Sequence, residues 1–174
     1  MPDFSNADAL PPTVEGSTGC NDPAIVFLGS ADGLAPRQLN GFFAGWRRPV
    51  SAAEHLAILR ASQAVTIAVD PATNRVVGFV TALSDGILCA HITLLEVLPE
   101  YRGRGIGRAL VRLLLDQLAD LYAVDAVCDP ELIPFYEACG MTAAVAAVRR
   151  RYESHREGPQ GRPDWITWAR GVGR

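Results

Sequence analysis

Length, composition and charge narrow the class of protein. The chain has 174 residues, of which 49% are hydrophobic, as expected for one globular domain with a single core. The formal net charge of −3 argues against a surface for nucleic acid or membrane, because binding to polyanions normally requires a basic face. We therefore expect small-molecule partners, no nucleic-acid or membrane partner, and a monomer or homodimer.

The N-terminal segment differs from the rest of the chain in composition. Residues 1–22 are rich in Pro, Gly, Ser, Thr, Asn and Asp and lack an apolar period, which predicts a flexible leader. Acidic residues and prolines interrupt it, so it resembles neither a signal peptide nor a membrane-spanning helix, and a cytoplasmic location is expected. Residues 23–174 are predicted to form one domain, with a loop over the polar residues 152–164.

The cysteine pattern predicts neither a metal site nor a disulfide framework. The four cysteines are dispersed, with no Cys-x-x-Cys pair and no histidine at ligand spacing. We expect all of them to be reduced and buried; they are Cys20, Cys89, Cys128 and Cys139.

The predicted elements begin with a strand and two helices. Residues 24–29 form a short β-rich run, and the apolar residues of 36–46 recur at helical spacing. Ser51 and Glu54 make a capping box, which predicts a second helix that runs to about Ser62.

An antiparallel meander of three strands should follow. Residues 65–70 and 75–84 are β-branched runs separated by a Pro-Ala-Thr-Asn turn, which predicts a hairpin. The turn at residues 84–86 leads into a third run over residues 87–98.

The pattern then changes to a helix and a parallel strand. Apolar residues line one face of a helix after the glycine-rich residues 102–107; they are Ile106, Leu110, Leu113, Leu114 and Leu118. Residues 122–128 read as a strand, which must lie parallel to the strand over 87–98 because a helical crossover joins them. The sequence therefore predicts an α/β fold with a mixed sheet.

The last part of the chain predicts a helix and two further strands. Asp129 and Pro130 form a plausible helix start, but Pro134 means that the helix is kinked or begins there. Gly140 should cap its C-terminus. Residues 141–151 and 165–169 are predicted to be strands.

The glycine-rich segment carries the chemistry. Glycines at 103, 105 and 107 uncover backbone amides beside a helix N-terminus, which together make a cradle for a pyrophosphate. The Lys and hydroxyl of a P-loop are missing. A dinucleotide fingerprint fits poorly, because Arg108 replaces its third glycine and antiparallel strands come first.

Two motifs resemble those of the GNAT acetyltransferases. The first is Arg102-x-x-Gly-x-Gly107, preceded by Val97 and Pro99, and the second is Tyr136 just before a Gly-Met step. The resemblance covers residues 24–151 in element order. It implies an acyl-CoA N-acyltransferase fold, with antiparallel strands 1–4 and a parallel, splayed pair of strands 4 and 5 flanked by helices.

The resemblance also implies acetyl-CoA as cosubstrate, with no metal. Backbone groups near Leu95 and Val97 would bind the pantetheine arm, and the turn and helix start would bind the pyrophosphate. The turn and helix residues are Arg102, Gly103, Arg104, Gly105, Ile106, Gly107 and Arg108. Arg104, Arg108 and Arg112 share a helix face and form a basic ridge that could reach the other phosphate of coenzyme A, although for Arg112 the face could instead be a solvated surface.

Acetyl transfer needs a proton for the leaving thiolate and a base for the amine. The resemblance points to Tyr136 as the acid, since its phenol can share a proton with a thiolate. The resemblance makes His91 the candidate base, because it stands on strand four at about the position where some family members carry an acidic or histidine base, and an imidazole suits proton removal directly or through water. Glu96 is the alternative, although strict alternation puts it on the opposite face from His91 unless a bulge intervenes.

Other residues have two readings each. Asp129 stands where the family often has an Asn near the cofactor, and a helix cap is the favoured interpretation. Asp85 could attract a cationic amine or simply belong to a turn. Phe42, Phe43 and Trp46 lie where the family walls its acceptor pocket, or they pack in the core.

The function predicted from the sequence is transfer of an acetyl group from acetyl-CoA to an amine of a small molecule, by direct transfer. The alternative is a noncatalytic acyl-CoA-binding module with a regulatory or interaction role.

Overall fold

A mixed β-sheet forms the centre of the described part of the protein. The computed structural model describes residues 25–46 and 48–149. The described strands form a five-stranded sheet in chain order. They are β1 (Val26–Leu28), β2 (Ala64–Asp70), β3 (Arg75–Ser84), β4 (Cys89–Val97) and β5 (Ala123–Ala126). Strands β1 to β4 pair antiparallel and β5 pairs parallel to β4, so the predicted topology is confirmed.

Three helices of the described chain flank the sheet: α1 (Ala52–Ala61), α2 (Ile106–Gln117) and α3 (Ile133–Glu137). The capping box of α1 forms as predicted, because the Ser51 hydroxyl accepts the Glu54 N–H and the Glu54 carboxylate accepts the Ser51 N–H. Short 3-10 turns lie at Pro36–Gln38, Pro99–Tyr101 and Pro130–Leu132. Among the described helices, none is long and apolar enough to cross a membrane.

The sheet has a separate apolar core on each face. On one side, here named the α1 face, Leu56 and Leu59 of α1 pack with Phe79 and the loop residues Phe42 and Phe43. The other side, the α2 face, is covered by α2. Its core includes Leu110, Val111, Leu114, Val80 and Ile92. Leu113 of α2 is only half-buried, and Val111 takes the core position instead.

The helix predicted over residues 36–46 does not form beyond a single 3-10 turn. Gly41, Phe43 and Gly45 have φ angles of 96°, 60° and 81°, which a right-handed helix cannot accommodate. The N–H of Phe43 is donated to the carboxylate of Glu96 at 3.1 Å and not to a helical carbonyl. The apolar spacing reflected burial: Leu39, Phe42 and Phe43 are buried, while Trp46 remains half exposed.

Strand β4 begins two residues later than predicted. The carboxylate of Asp85 accepts the N–H groups of Ile87, Leu88 and Cys89 at 2.8–3.1 Å, which holds these residues in the turn. These hydrogen bonds also lower the pKa of Asp85 to about 2. Asp85 is therefore a turn residue, which agrees with the second of its two interpretations. Strand β5 is also shorter than predicted, since its ladder ends at Ala126.

The end of the described chain corrects two predictions. Residues 141–149 are not a strand; they are mostly exposed and pair with no described strand. The side chain of Asp129 makes no capping hydrogen bond with a described residue, and its carbonyl instead accepts the Leu132 N–H at 2.9 Å. A 3-10 turn precedes α3, which begins at Ile133.

Two further predictions concern the helix end and the cysteines. Gly140, with φ 96°, ends the run of turns after α3, as predicted for a C-cap. The expectation of buried cysteines is wrong for Cys89, which is exposed, whereas Cys139 is buried and Cys128 half-buried. The leader, Cys20, the loop at 152–164 and the strand predicted over 165–169 lie outside the described residues.

Candidate active site

A cleft opens where β4 and β5 separate. The two strands pair from Cys89 and Ala123 to Ile92 and Ala126, and β4 then continues to Val97 with no described strand on that side. The cleft has a volume of about 1670 Å³ and is lined by Thr93 to Val97, the glycine-rich turn, the end of β5 and α3. The predicted splay of the parallel pair is present.

A bulge in β4 decides which side chains share a face. Thr81 pairs with Leu94 and Ala82 with Ile92, so Thr93 is left over in the ladder. Before the bulge Ile92 packs in the core of the α2 face, whereas after it Leu95 does.

The bulge therefore places both candidate bases on the α1 face. His91 and Glu96 differ by five positions, and strict alternation would have put them on opposite sides of the sheet. The hydrogen bond from Phe43 to Glu96 confirms the side of Glu96, because Phe43 packs in the core of the α1 face.

The glycine-rich turn before α2 has the open backbone on which the predicted anion cradle depends. Gly103 and Gly105 have φ angles of 77° and 81°, a region that favours glycine, and no described atom lies within 4 Å of a Cβ built on either. Gly105 is the N-cap residue of α2, so the N–H groups of Ile106, Gly107 and Arg108 have no acceptor in the helix. Open space above free amides at a helix start fits a pyrophosphate.

The arginines around the cradle have different roles. The Nε of Arg102 donates to the Val97 carbonyl at 2.9 Å, which ties the cradle to the end of β4. Arg108 is exposed and lines the cleft.

The predicted basic ridge is divided. Arg104 stacks over the Tyr101 ring at 5.0 Å and donates to the Glu100 carbonyl at 3.2 Å. Arg112 donates to the Ala138 carbonyl at 2.8 Å and so joins α2 to the end of α3. Of Arg104, Arg108 and Arg112, only Arg108 lines the cleft.

Tyr136 lies in the cleft on the α2 face. Its ring packs on the core of that face and meets Phe135 edge-on at 5.1 Å. Burial raises the pKa of the Tyr136 phenol above its ordinary value of 10.0, and the nearby Cys128 and Cys139 raise it further. The phenol is therefore protonated at neutral pH and able to donate.

Acidic groups and an indole lie on the opposite side of the cleft. Glu96, Asp125 and Trp46 line it there. His91 does not line the cleft itself, but its Nδ1 is hydrogen-bonded to the carboxylate of Asp125 on β5. Sequence reasoning missed Asp125 as a partner of His91. The parallel register of β4 and β5 would have indicated this pairing, but the register cannot be derived from the sequence alone.

The fold is that of an α/β protein in which a parallel pair of strands splays apart beside a glycine-rich helix start without a side-chain cap. Residues 36–141 match the model of the Acetyltransferase (GNAT) family. The chain belongs to this family.

Solved structures show the same fold. A protein from Deinococcus radiodurans R1 assigned as an acetyltransferase is 41% identical, with a TM-score of 0.72 over 83% of this chain and 100% of that one. The GNAT family protein SP0256 from Streptococcus pneumoniae has a TM-score of 0.59 at 19% identity, over 75% of this chain and 100% of that one, which shows likeness of fold alone.

Curated relatives match over shorter stretches. The chain is 39% identical over 72 residues to GCN5-related N-acetyltransferase 3, chloroplastic, from Arabidopsis thaliana, which is 40% of this chain and 30% of the relative. An uncharacterized N-acetyltransferase, ycf52 of Porphyra purpurea, is 29% identical over 100 residues, 55% of this chain and 57% of the relative. The aligned part thus spans less than two thirds of these relatives.

No cluster of three or more potential metal ligands is present among the described residues.

Proposed function

We propose that this protein transfers the acetyl group of acetyl-CoA to the amine of a small molecule. The observation that carries the proposal is the free edge of β4 in a chain of the GNAT family. This edge runs from the point where β4 and β5 separate to the start of α2, which has no side-chain cap. When bound, acetyl-CoA supplies a thioester carbonyl that an amine can attack.

The donor half of the site lies on the cradle and the free edge. The amides of Ile106, Gly107 and Arg108 and the side chain of Arg108 would hold the pyrophosphate, because free N–H groups at a helix start carry partial positive charge. Arg102 sets the position of the cradle through its bond to Val97. The pantetheine arm would take the place of the missing strand partner and hydrogen-bond to backbone groups of β4 between Thr93 and Val97.

The acceptor half lies on the α1 face. Glu96 and Asp125 are acidic and line this side of the cleft, whereas Arg102 and Arg108 line the cradle end. An ammonium group is therefore attracted to the α1 face of the cleft and phosphates to the cradle. Trp46, half exposed beside them, offers an apolar surface to the rest of the acceptor.

The acid and the bases lie on opposite faces of the sheet. His91 or Glu96 takes a proton from the ammonium group on the α1 face, and Tyr136 donates to the leaving sulfur from the α2 face. The C–N bond forms as the C–S bond breaks. The ammonium proton passes through the base to solvent, and the proton then lost by the amide nitrogen replaces the one that Tyr136 supplied.

Thermal shift and thiol release test the proposal. Acetyl-CoA should raise the melting temperature by mass action while NAD should not. Thiol release across a library of small amines should then identify acceptors, and a library without any acceptor would favour the noncatalytic acyl-CoA-binding alternative. If acetyl-CoA left the melting temperature unchanged, both readings would fail.

Tyr136→Phe separates catalysis from binding at the same site. The variant keeps the buried ring but removes the phenol, so turnover should fall by roughly a hundredfold or more, while the Kd for acetyl-CoA stays close to that of the unchanged protein. The Kd is measured by calorimetry and the rate by thiol release. Equal rates in the two proteins would remove Tyr136 as the acid.

A further inference from the structure

His91 and Asp125 face each other across the parallel pair, immediately before it separates. They are partners in the ladder between β4 and β5, and the next pair, Ile92 with Ala126, is the last. The Nδ1 of His91 is hydrogen-bonded to Oδ1 of Asp125. Their side chains are 43% and 69% exposed; Asp125 lines the cleft, and His91 lies directly beside it as the hydrogen-bonded partner of Asp125.

The pair sits at the end of the cleft opposite the cradle. The free part of β4, from Thr93 to Val97, is about 13 Å long at roughly 3.3 Å per residue. A ligand with its phosphates in the cradle and its arm along this edge would have its far end near the point where β4 and β5 separate. His91 and Asp125 lie there, on the same α1 face as Glu96.

The other groups near His91 leave Asp125 as its partner. From β3, the residue paired with His91 is Leu83, which has no charge. The carboxylate of Asp85 in the adjacent turn is occupied by three backbone N–H groups. No hydrogen bond of Nε2 is present in the described part of the chain, whereas Nδ1 has Asp125.

We propose that Asp125 is a positioning residue for His91 in the acetyl transfer, an inference that rests on the proposed function. Its carboxylate accepts the N–H of Nδ1, which fixes the neutral tautomer that has its lone pair on Nε2. Nε2 then accepts the proton of the acceptor's ammonium group. The resulting imidazolium donates through Nδ1 to the Asp125 carboxylate and later releases the Nε2 proton to solvent.

Asp125→Asn tests this role, with Asp120→Asn as the matched control. Asp120 is exposed on the loop between α2 and β5, so its replacement removes the same charge without touching His91. Asp125→Asn should lower kcat by about tenfold to a hundredfold, and KM for acetyl-CoA should change little, because the tautomer matters to proton transfer and not to donor binding. Asp120→Asn should keep the unchanged rate.

A double-mutant cycle tests whether Asp125 acts through His91. His91→Gln alone and His91→Gln with Asp125→Asn should have the same kcat, because a positioning residue has no effect once its partner is absent. Additive losses would overturn the proposal. So would full activity in His91→Gln accompanied by a large loss in Glu96→Gln, since the base would then be Glu96.

The tautomer can also be read directly. In ¹⁵N NMR spectra of the intact protein, His91 should carry its proton on Nδ1, and Asp125→Asn should move population toward the Nε2 tautomer. An unchanged tautomer ratio would overturn the positioning role.

The two proposals fail in different ways. An active wild-type protein beside a fully active Asp125→Asn would refute the role of Asp125 alone. A wild-type protein that neither binds acetyl-CoA nor acetylates an amine would refute the proposed function itself.

Discussion

Replacing His55 by leucine should remove a pH-dependent loss of stability from the core of the α1 face. His55 is 1% exposed and lies among aromatic rings, with centroids of Phe42, Phe43 and Phe79 at 5.0, 4.9 and 4.4 Å. Neither ring nitrogen has a hydrogen bond of normal geometry to a described residue. The nearby backbone of Leu39 favours the charged form slightly, but burial dominates and lowers the pKa of His55 to about 4.

The size of the effect follows from linkage. The unfolded chain binds a proton at His55 below pH 6.5 and the folded chain only below about 4, so stability rises with pH between these values. Acidification from pH 7 to pH 5 should therefore cost about 2 kcal/mol, and the full loss below pH 4 should be about 3 kcal/mol. Above pH 6.5 His55 is mainly neutral in both the folded and the unfolded chain, so its protonation no longer lowers the free energy of unfolding.

Urea unfolding of wild-type protein and His55→Leu at pH 7 and pH 5 isolates this contribution. All other titrations are common to both proteins, so the difference between their free energies of unfolding reports His55 alone. At pH 7 leucine removes a buried N–H without a partner, worth about 1–3 kcal/mol, but loses ring contacts of similar size. The difference in free energy of unfolding between His55→Leu and wild type should be about 2 kcal/mol larger in favour of the variant at pH 5 than at pH 7. A difference that is the same at both pH values would refute the reasoning.

Two further predictions concern the cradle and the core of the α2 face. Gly105→Ala should destabilise the fold by about 1–2 kcal/mol, because its φ of 81° strains any residue with a Cβ while the space around it is open. Gly105→Asn should cost less in the same urea titration, and equal losses would argue against strain. Leu110→Ala should cost about 2–5 kcal/mol, since Leu110 is fully buried, and more than Leu113→Ala on the half-buried side of α2. Equal losses would contradict the assigned core.

Local sequence signals predicted the parts of the site that lie within one stretch of chain. The backbone at residues 103 and 105 has a positive φ that few residues other than glycine adopt. The glycines in the sequence therefore predicted the turn directly. A motif on a single helix pointed to Tyr136, which lines the cleft.

Sequence patterns gave wrong predictions where a different hydrogen bond replaced the expected local one. The aromatic residues of 36–46 have helical spacing, yet the Phe43 amide binds Glu96, which lies 53 positions later. Asp129 has the residue type of a cap, but a 3-10 turn formed by its carbonyl replaced the expected side-chain bond.

The sequence by itself determined the order of strands β1 to β5, the capping box of α1 and the glycine-rich turn before α2, because each depends on the conformational preferences of neighbouring residues. Only the tertiary structure decided the acceptor side. The bulge at Thr93 puts Glu96 on the face of His91, and the parallel register sets Asp125 opposite His91. Both depend on how one strand aligns with another, and that alignment is fixed by core packing across the whole sheet.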